Sequence, residues 1–216
     1  MPKITEERRE ARREQVLEAA RACLQEHGLE AVSMEMIIAR SGLSTGAVYG
    51  YFKGKDQIIN AMILEGTAAI AKDLEPILTN LDPPPLPEFV GQVLAATVGF
   101  GRHKKGDIDR LLVALHGWSH SQSDPVLKAA TRTSYAVLRE RFADAVKRWQ
   151  AAGTFGAAAD PAALAELLTS ITLGFVAQRA LAGSADVAAH VAALEALNSL
   201  TSNSSDRSRR KDVVTP

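Results

Sequence analysis

Gly42-Leu43-Ser44-Thr45-Gly46 is the stretch with the most chemical options. It spells G-x-S-x-G, the pattern of a nucleophile elbow, where a serine hydroxyl on a sharp turn attacks a carbonyl. That chemistry needs a buried strand before the turn. Here Met34, Ile37, Ile38 and Ser41 recur at helical spacing before it, and no parallel-sheet pattern occurs, so an enzyme is not expected. The same residues suit a second chemistry, contact with a nucleic-acid duplex. Thr45 can bond a base edge through its hydroxyl and pack its methyl on a thymine methyl, and Ala47 adds an apolar contact. Gly46 has no side chain and lets backbone approach the groove. Tyr49, Tyr51 and Lys55 bring hydroxyls and a cation to the groove margins, where phosphates lie.

Something rigid has to present these groups. Met34–Ser41 reads as a short amphipathic helix with Ser33 as its N-cap. Gly42 follows, where a left-handed residue needs no Cβ. Leu43 is placed to fold back on the helix it leaves. Ser44 offers a second N-cap, and Thr45–Tyr51 forms a second helix with Val48 and Phe52 turned inward. Ala39 is small where two steeply crossed helices would approach closely. Helix, glycine turn, helix is the helix-turn-helix layout.

Ile38-Ala39, Ser41-Gly42-Leu43-Ser44, Gly46, Val48-Tyr49, Tyr51-Phe52 and Lys55 together resemble the DNA-binding signature of the TetR family, the tetracycline-repressor-like bacterial regulators. The resemblance runs from about Arg13 to about Ile63. It implies base contacts from Thr45 and Gly46, phosphate contacts from Tyr49, Tyr51 and Lys55, and support from Ser33 and Ser44. Other roles stay open for several of these. Tyr49 and Tyr51 also fit packing, and Ser44 serves as a cap whether or not it touches DNA. Glu35 departs from the pattern: it repels phosphate, yet can accept from cytosine N4 or point to solvent.

Composition sets the frame. The chain has 216 residues, 46% hydrophobic and 5% aromatic, with 25 Lys+Arg against 25 Asp+Glu. Abundant alanine favours helix, and the balanced charge gives no bulk positive field, so DNA contact has to rest on a few local cations. The single Cys23 lies on the apolar stripe of the first helix, reads as an inert core thiol and fits a reducing cytosol. No stretch approaches the ~18 apolar residues of a membrane span, and no apolar run follows the N-terminal cations as a signal peptide requires. A cytoplasmic protein without membrane contact is expected.

An all-α chain is expected, with a three-helix head at 1–55, a helical effector-binding and dimerisation body at 56–200, and a disordered tail at 201–216. At the start of the head, Arg8, Arg9, Arg12 and Arg13 alternate with glutamates, as a solvated helix start or an arm toward phosphates. The first helix ends at Gly28. A longer one opens at Lys55 and is broken off by Asp82-Pro83-Pro84-Pro85-Leu86-Pro87, a stiff connector. Helices follow from Glu88, over Leu111–His120 after a break at Gly101–Asp107, over Val126–Gln150, from Asp160 to about Ala182, and over Ala185–Leu200. The tail carries Arg207, Arg209, Arg210 and Lys211.

The helix from Asp160 has two apolar sides: Leu164, Leu168, Ile171 and Phe175 on one, Leu167, Ser170, Gly174, Ala177 and Leu181 on the other. A surface helix needs only one buried stripe. Two stripes mean full burial, either inside the domain or against a second chain, and the second side, with Val191 and Leu194 of the last helix, is a candidate homodimer interface. In the resembled family the last two helices pair in this way. Two heads would favour a palindromic double-stranded DNA operator. Aromatic and imidazole groups gather in the middle helices, either as fillers of an ordinary helical core or around a small-molecule effector pocket, for which Phe100, His116, Trp118, Tyr135, Phe175 and Gln178 are the candidates. The resemblance implies that an effector shifts the two heads through the helix from Lys55, and repression is the family's default. His116 and His120 have metal-holding spacing but lack a third ligand, and neither metal nor cofactor is expected.

Overall fold

A computed structural model describes residues 5–99, 110–183, 185–197 and 199. The described residues are all-α, with no strand among them. The helices are α1 (Glu6–Ala31), α2 (Met34–Ser41), α3 (Thr45–Tyr51), α4 (Lys55–Leu78), α5 (Leu86–Val98), α6 (Arg110–His120), α7 (Pro125–Ala151), α8 (Pro161–Ala182) and α9 (Val187–Leu197). They gather into two compact units. The first takes the described residues up to Ala69 and from Arg110 to Thr131; the second takes the others. The basic tail at 201–216, Phe100 and the break at 101–107 lie outside the described residues.

In the first unit, Val16, Leu17, Ala20 and Cys23 of α1 pack with Ile37, Val48, Phe52 and Ile58. The α1 backbone departs from helical geometry at Gly28, where φ is 76°. Arg13 and Arg21 of α1 both reach Glu65 of α4, at 2.8 and 2.7 Å. Arg13 also lies over the Phe52 ring. That claims one of the arginines that could have formed a phosphate-seeking arm. Helix α6 seats closely on α4: a Cβ on Gly66 would lie 2.8 Å from both methyls of Val113.

Asp124 caps α7, accepting from the amides of Val126 and Leu127 at 2.8 and 3.0 Å, and from Asn60 Nδ2 at 2.6 Å. The Leu127 amide bond is the largest of the effects that hold its carboxyl below the ordinary range. A carboxyl depressed on folding contributes stability above its unfolded pKa and loses it as pH falls through the folded one. Thermal melts from about pH 5 downward should therefore fall more steeply for wild type than for Asp124→Asn, which retains a cap but does not titrate. Parallel curves would remove Asp124 from the acid response.

In the second unit, Phe89 of α5 meets Phe142 and Trp149 of α7 edge-on, with centroids 6.1 and 5.0 Å apart. Trp149 Nε1 donates to the carbonyls of Pro83 and Pro84 at 3.3 and 3.0 Å, which fixes the proline connector. Helix α5 packs on α8.

Helix α8 corrects one expectation. By length and composition it is apolar enough to cross a membrane. Spaced small and polar residues hide this from a search for an unbroken apolar run. Ala165, Leu168, Phe175 and Val176 are buried inside the second unit, as in the core helix of a globular fold.

Candidate nucleic-acid interface

Local chemistry builds the reading surface. Ser33 Oγ caps α2 by accepting from the Met36 amide at 3.4 Å, and Ser44 Oγ caps α3 from the Ala47 amide at 3.3 Å. Between the helices Gly42 sits at φ 66°, where a side chain is strained. The buried Ser41 hydroxyl donates to the Ile38 carbonyl and accepts from the Leu43 amide, closing the turn. Val48 and Phe52 point into the core. The opposite side of α3 then faces outward, and Ser44, Thr45, Gly46 and Tyr49 are exposed, Tyr49 at 39%.

Tyr51 is half-buried and packs against the head core, which is the packing role left open for it. Lys55 differs more from expectation. Its Nζ donates to the carbonyls of Leu29 and Val32, at 3.1 and 3.0 Å, and so ties the end of α1 to the start of α4. An ammonium has three N–H donors, so one remains. Lys53 is exposed beside it, with Nζ on the Tyr49 carbonyl at 3.0 Å. Sequence reasoning passed over Lys53; its signal was position, a cation directly after the second helix. Ala39 is exposed and is not the close-approach residue expected of it. Glu35 is exposed too, and a hydrogen bond from Ser33, then one from its own amide, hold its carboxyl below the usual range. Arg40 is engaged by Glu26 of α1 through a two-pronged ion pair.

Of the effector candidates, Phe100 lies outside the described residues, two of the others fall in the first unit and three in the second. His116 lines an apolar cavity of about 90 Å³ in the first unit, walled by α1, α4 and α6. Trp118 belongs to the same unit but not to that wall. Tyr135, Phe175 and Gln178 belong to the second unit. Phe175 is buried, with its ring edge-on to His190 at 5.0 Å. Gln178 is exposed, four residues after Gly174 and three before Leu181, on their side of α8. Aromatic content marked a core here as readily as a pocket.

Of the interface candidates, Leu167, Ser170 and Leu181 are exposed, and Gly174, Ala177 and Leu194 are half-buried. Val191 is different. A Cβ on Gly91 of α5 would lie 2.7 Å from its Cγ2, so Val191 packs within its own chain. The small residue that receives it lies 100 positions away, where periodicity gives no sign of it.

Comparison with known proteins agrees with this geometry. The family model described as bacterial regulatory proteins, tetR family, matches residues 16–62. One described as BetI-type transcriptional repressor, C-terminal, matches residues 103–200. The HTH-type transcriptional repressor Rv1474c of Mycobacterium tuberculosis is 35% identical over 71 residues, 33% of this chain and 38% of that protein. The chain thus matches little more than a third of that relative's length. Salmonella enterica GusR superposes with a TM-score of 0.64 over 91% of this chain and 96% of its own, at 23% identity, which speaks for the fold alone. The complex of SmeT with triclosan, SmeT being the repressor of a Stenotrophomonas maltophilia efflux pump, has a TM-score of 0.59 and 26% identity over 82% of this chain and 84% of that one. A capped helix-turn-helix with its second helix outward, two successive matches to regulator models and a regulator-like fold lead to one assignment: the chain belongs to the TetR family of bacterial transcriptional regulators.

Proposed function

We propose that the chain is a DNA-binding repressor, acting in the cytoplasm as a homodimer on a palindromic operator and released by a small molecule. The observation that carries this reading is the outward exposure of Thr45, Gly46 and Tyr49 on a helix whose Val48 is buried. Residues 1–55 form the reading head and 56–200 the effector and dimer body. Thr45 and Gly46 meet base edges, Ser33 and Ser44 hold the two helices, and Tyr49, Tyr51 and Lys55 meet phosphate. Lys53 joins them as an exposed cation. The repressor names of relatives support repression, and the SmeT–triclosan complex supports a ligand. The exposed leucines of α8 support a second copy.

Selection from random duplex DNA supplies the operator, and three variants then separate the roles. Thr45→Ala should change the preferred base at one position of each half-site. Lys53→Ala should weaken all sequences alike and lower the salt slope by about one per head. Lys55→Ala should do the same and also loosen the head, because two carbonyls lose their donor. If no duplex is enriched, or if all three variants bind as wild type does, the reading is wrong.

A further inference from the structure

The cavity walled by α1, α4 and α6 combines an apolar lining with one unmet polar demand. Leu24, Ile59, Met62 and Val113 line it, with Arg21, Gln25 and His116 as its polar side chains. The Arg21 side chain is only 14% exposed; its terminal nitrogens donate to Glu14 and Glu65, and its buried Nε has no acceptor. Buried donors are almost always satisfied, so an orphan asks for an explanation. Charge narrows what could satisfy it. Glu14 and Glu65 already surround Arg21, and Glu65 is shared with Arg13. These two guanidiniums and two carboxylates leave no surplus positive charge around Arg21, so an anion approaching its Nε would meet carboxylates. A neutral acceptor does not.

Volume narrows it further. At about 90 Å³ the space is smaller than the roughly 150 Å³ apolar cavity known to take benzene. We propose that this cavity binds a small neutral molecule, a ring or short chain of about six heavy atoms with one carbonyl or hydroxyl oxygen that accepts from Arg21 Nε. No aromatic residue of the second unit lines the site. Its occupant presses on Ile63 and Val113, which also form the tight α4–α6 crossing at Gly117 and Gly66. The occupant also presses on Leu24 and Leu29 of α1, the helix that carries much of the reading head's core. The link to operator affinity rests on the regulator reading; the binding itself does not.

The test uses the full chain with labelled Ile, Val and Met methyls and three probes: cyclopentanone, cyclopentane and butanoate. Cyclopentanone should give saturable shifts at Ile59, Met62, Ile63 and Val113. Cyclopentane should bind about tenfold more weakly for want of one hydrogen bond, and butanoate should give no saturable shift. Equal affinity for the two rings would overturn the role of Arg21, saturation by butanoate would overturn the neutral class, and silence from all three would overturn the site. Met62→Phe, or Leu24→Phe if that variant does not fold, fills the space and should abolish the cyclopentanone shifts; persistent shifts place binding elsewhere. Against the selected operator, saturating cyclopentanone should change affinity. Methyl shifts with unchanged operator affinity would keep the site and remove its regulatory part. A chain that selects no operator would still give the methyl result, so the two failures are distinct.

Discussion

Phe89→Ala is expected to lower the unfolding free energy by about 3–5 kcal/mol, the range for deleting a large buried aromatic. Phe89 is fully buried and touches both Phe142 and Trp149 edge-on. The loss therefore includes ring–ring terms of about 0.5–1.5 kcal/mol beyond area burial. It also reaches the connector: Trp149 holds the carbonyls of Pro83 and Pro84 and stacks on Phe155 at 6.3 Å. With Phe89 gone, the indole has no wall on one side and its grip on the prolines loosens. Urea unfolding followed by circular dichroism measures the change, and Phe89→Leu should recover part of it. A loss below about 1 kcal/mol would mean that the site collapses around the gap. The aromatic cluster would then not be the anchor of the second unit.

The head was legible because its signals are local. A serine before each short helix, a glycine after the first, and apolar residues at Val48 and Phe52 act over a few positions, and the structure uses each as expected. The outward side of α8 was legible for a similar reason, since two apolar stripes on one helix exceed what one core can bury. What stayed hidden depends on distant partners. Lys55 looked like a free cation until the ends of α1 and α2's approach supplied carbonyls 26 and 23 residues earlier. Val191 looked like a residue waiting for another chain, but a glycine in α5 makes room for it. The cavity could not be read at all, because α1, α4 and α6 each show it only one or two side chains per turn. Aromatic residues drew attention toward the middle helices, while the orphan donor sits on Arg21 of the first helix.

Leu167→Glu with Leu181→Glu is expected to turn a dimer into a monomer. The two leucines are 55% and 76% exposed, yet they lie fourteen residues apart on one face of α8, with Gly174 midway. Exposed leucines are ordinary one at a time; two on one face around a small residue fit the second helix that the proposed homodimer would bring. In a two-fold dimer the stripe meets its own copy, so each substitution acts twice. Burying a leucine contributes about 1.5–3 kcal/mol, and four are lost. Even half of the lower value, about 3 kcal/mol over the four, weakens association more than a hundredfold. Four carboxylates brought together add repulsion. Sedimentation at micromolar concentration should give twice the chain mass for wild type and the single mass for the variant. Leu81→Glu tests whether added charge alone is responsible: Leu81 is 87% exposed but is not part of α8, so it should leave the dimer intact. Operator binding should fall with dimerisation, because two heads on one duplex bind through their effective concentration and a lone head does not. A wild-type chain that sediments as a monomer, or a double variant that stays dimeric, would place the second copy somewhere other than this face.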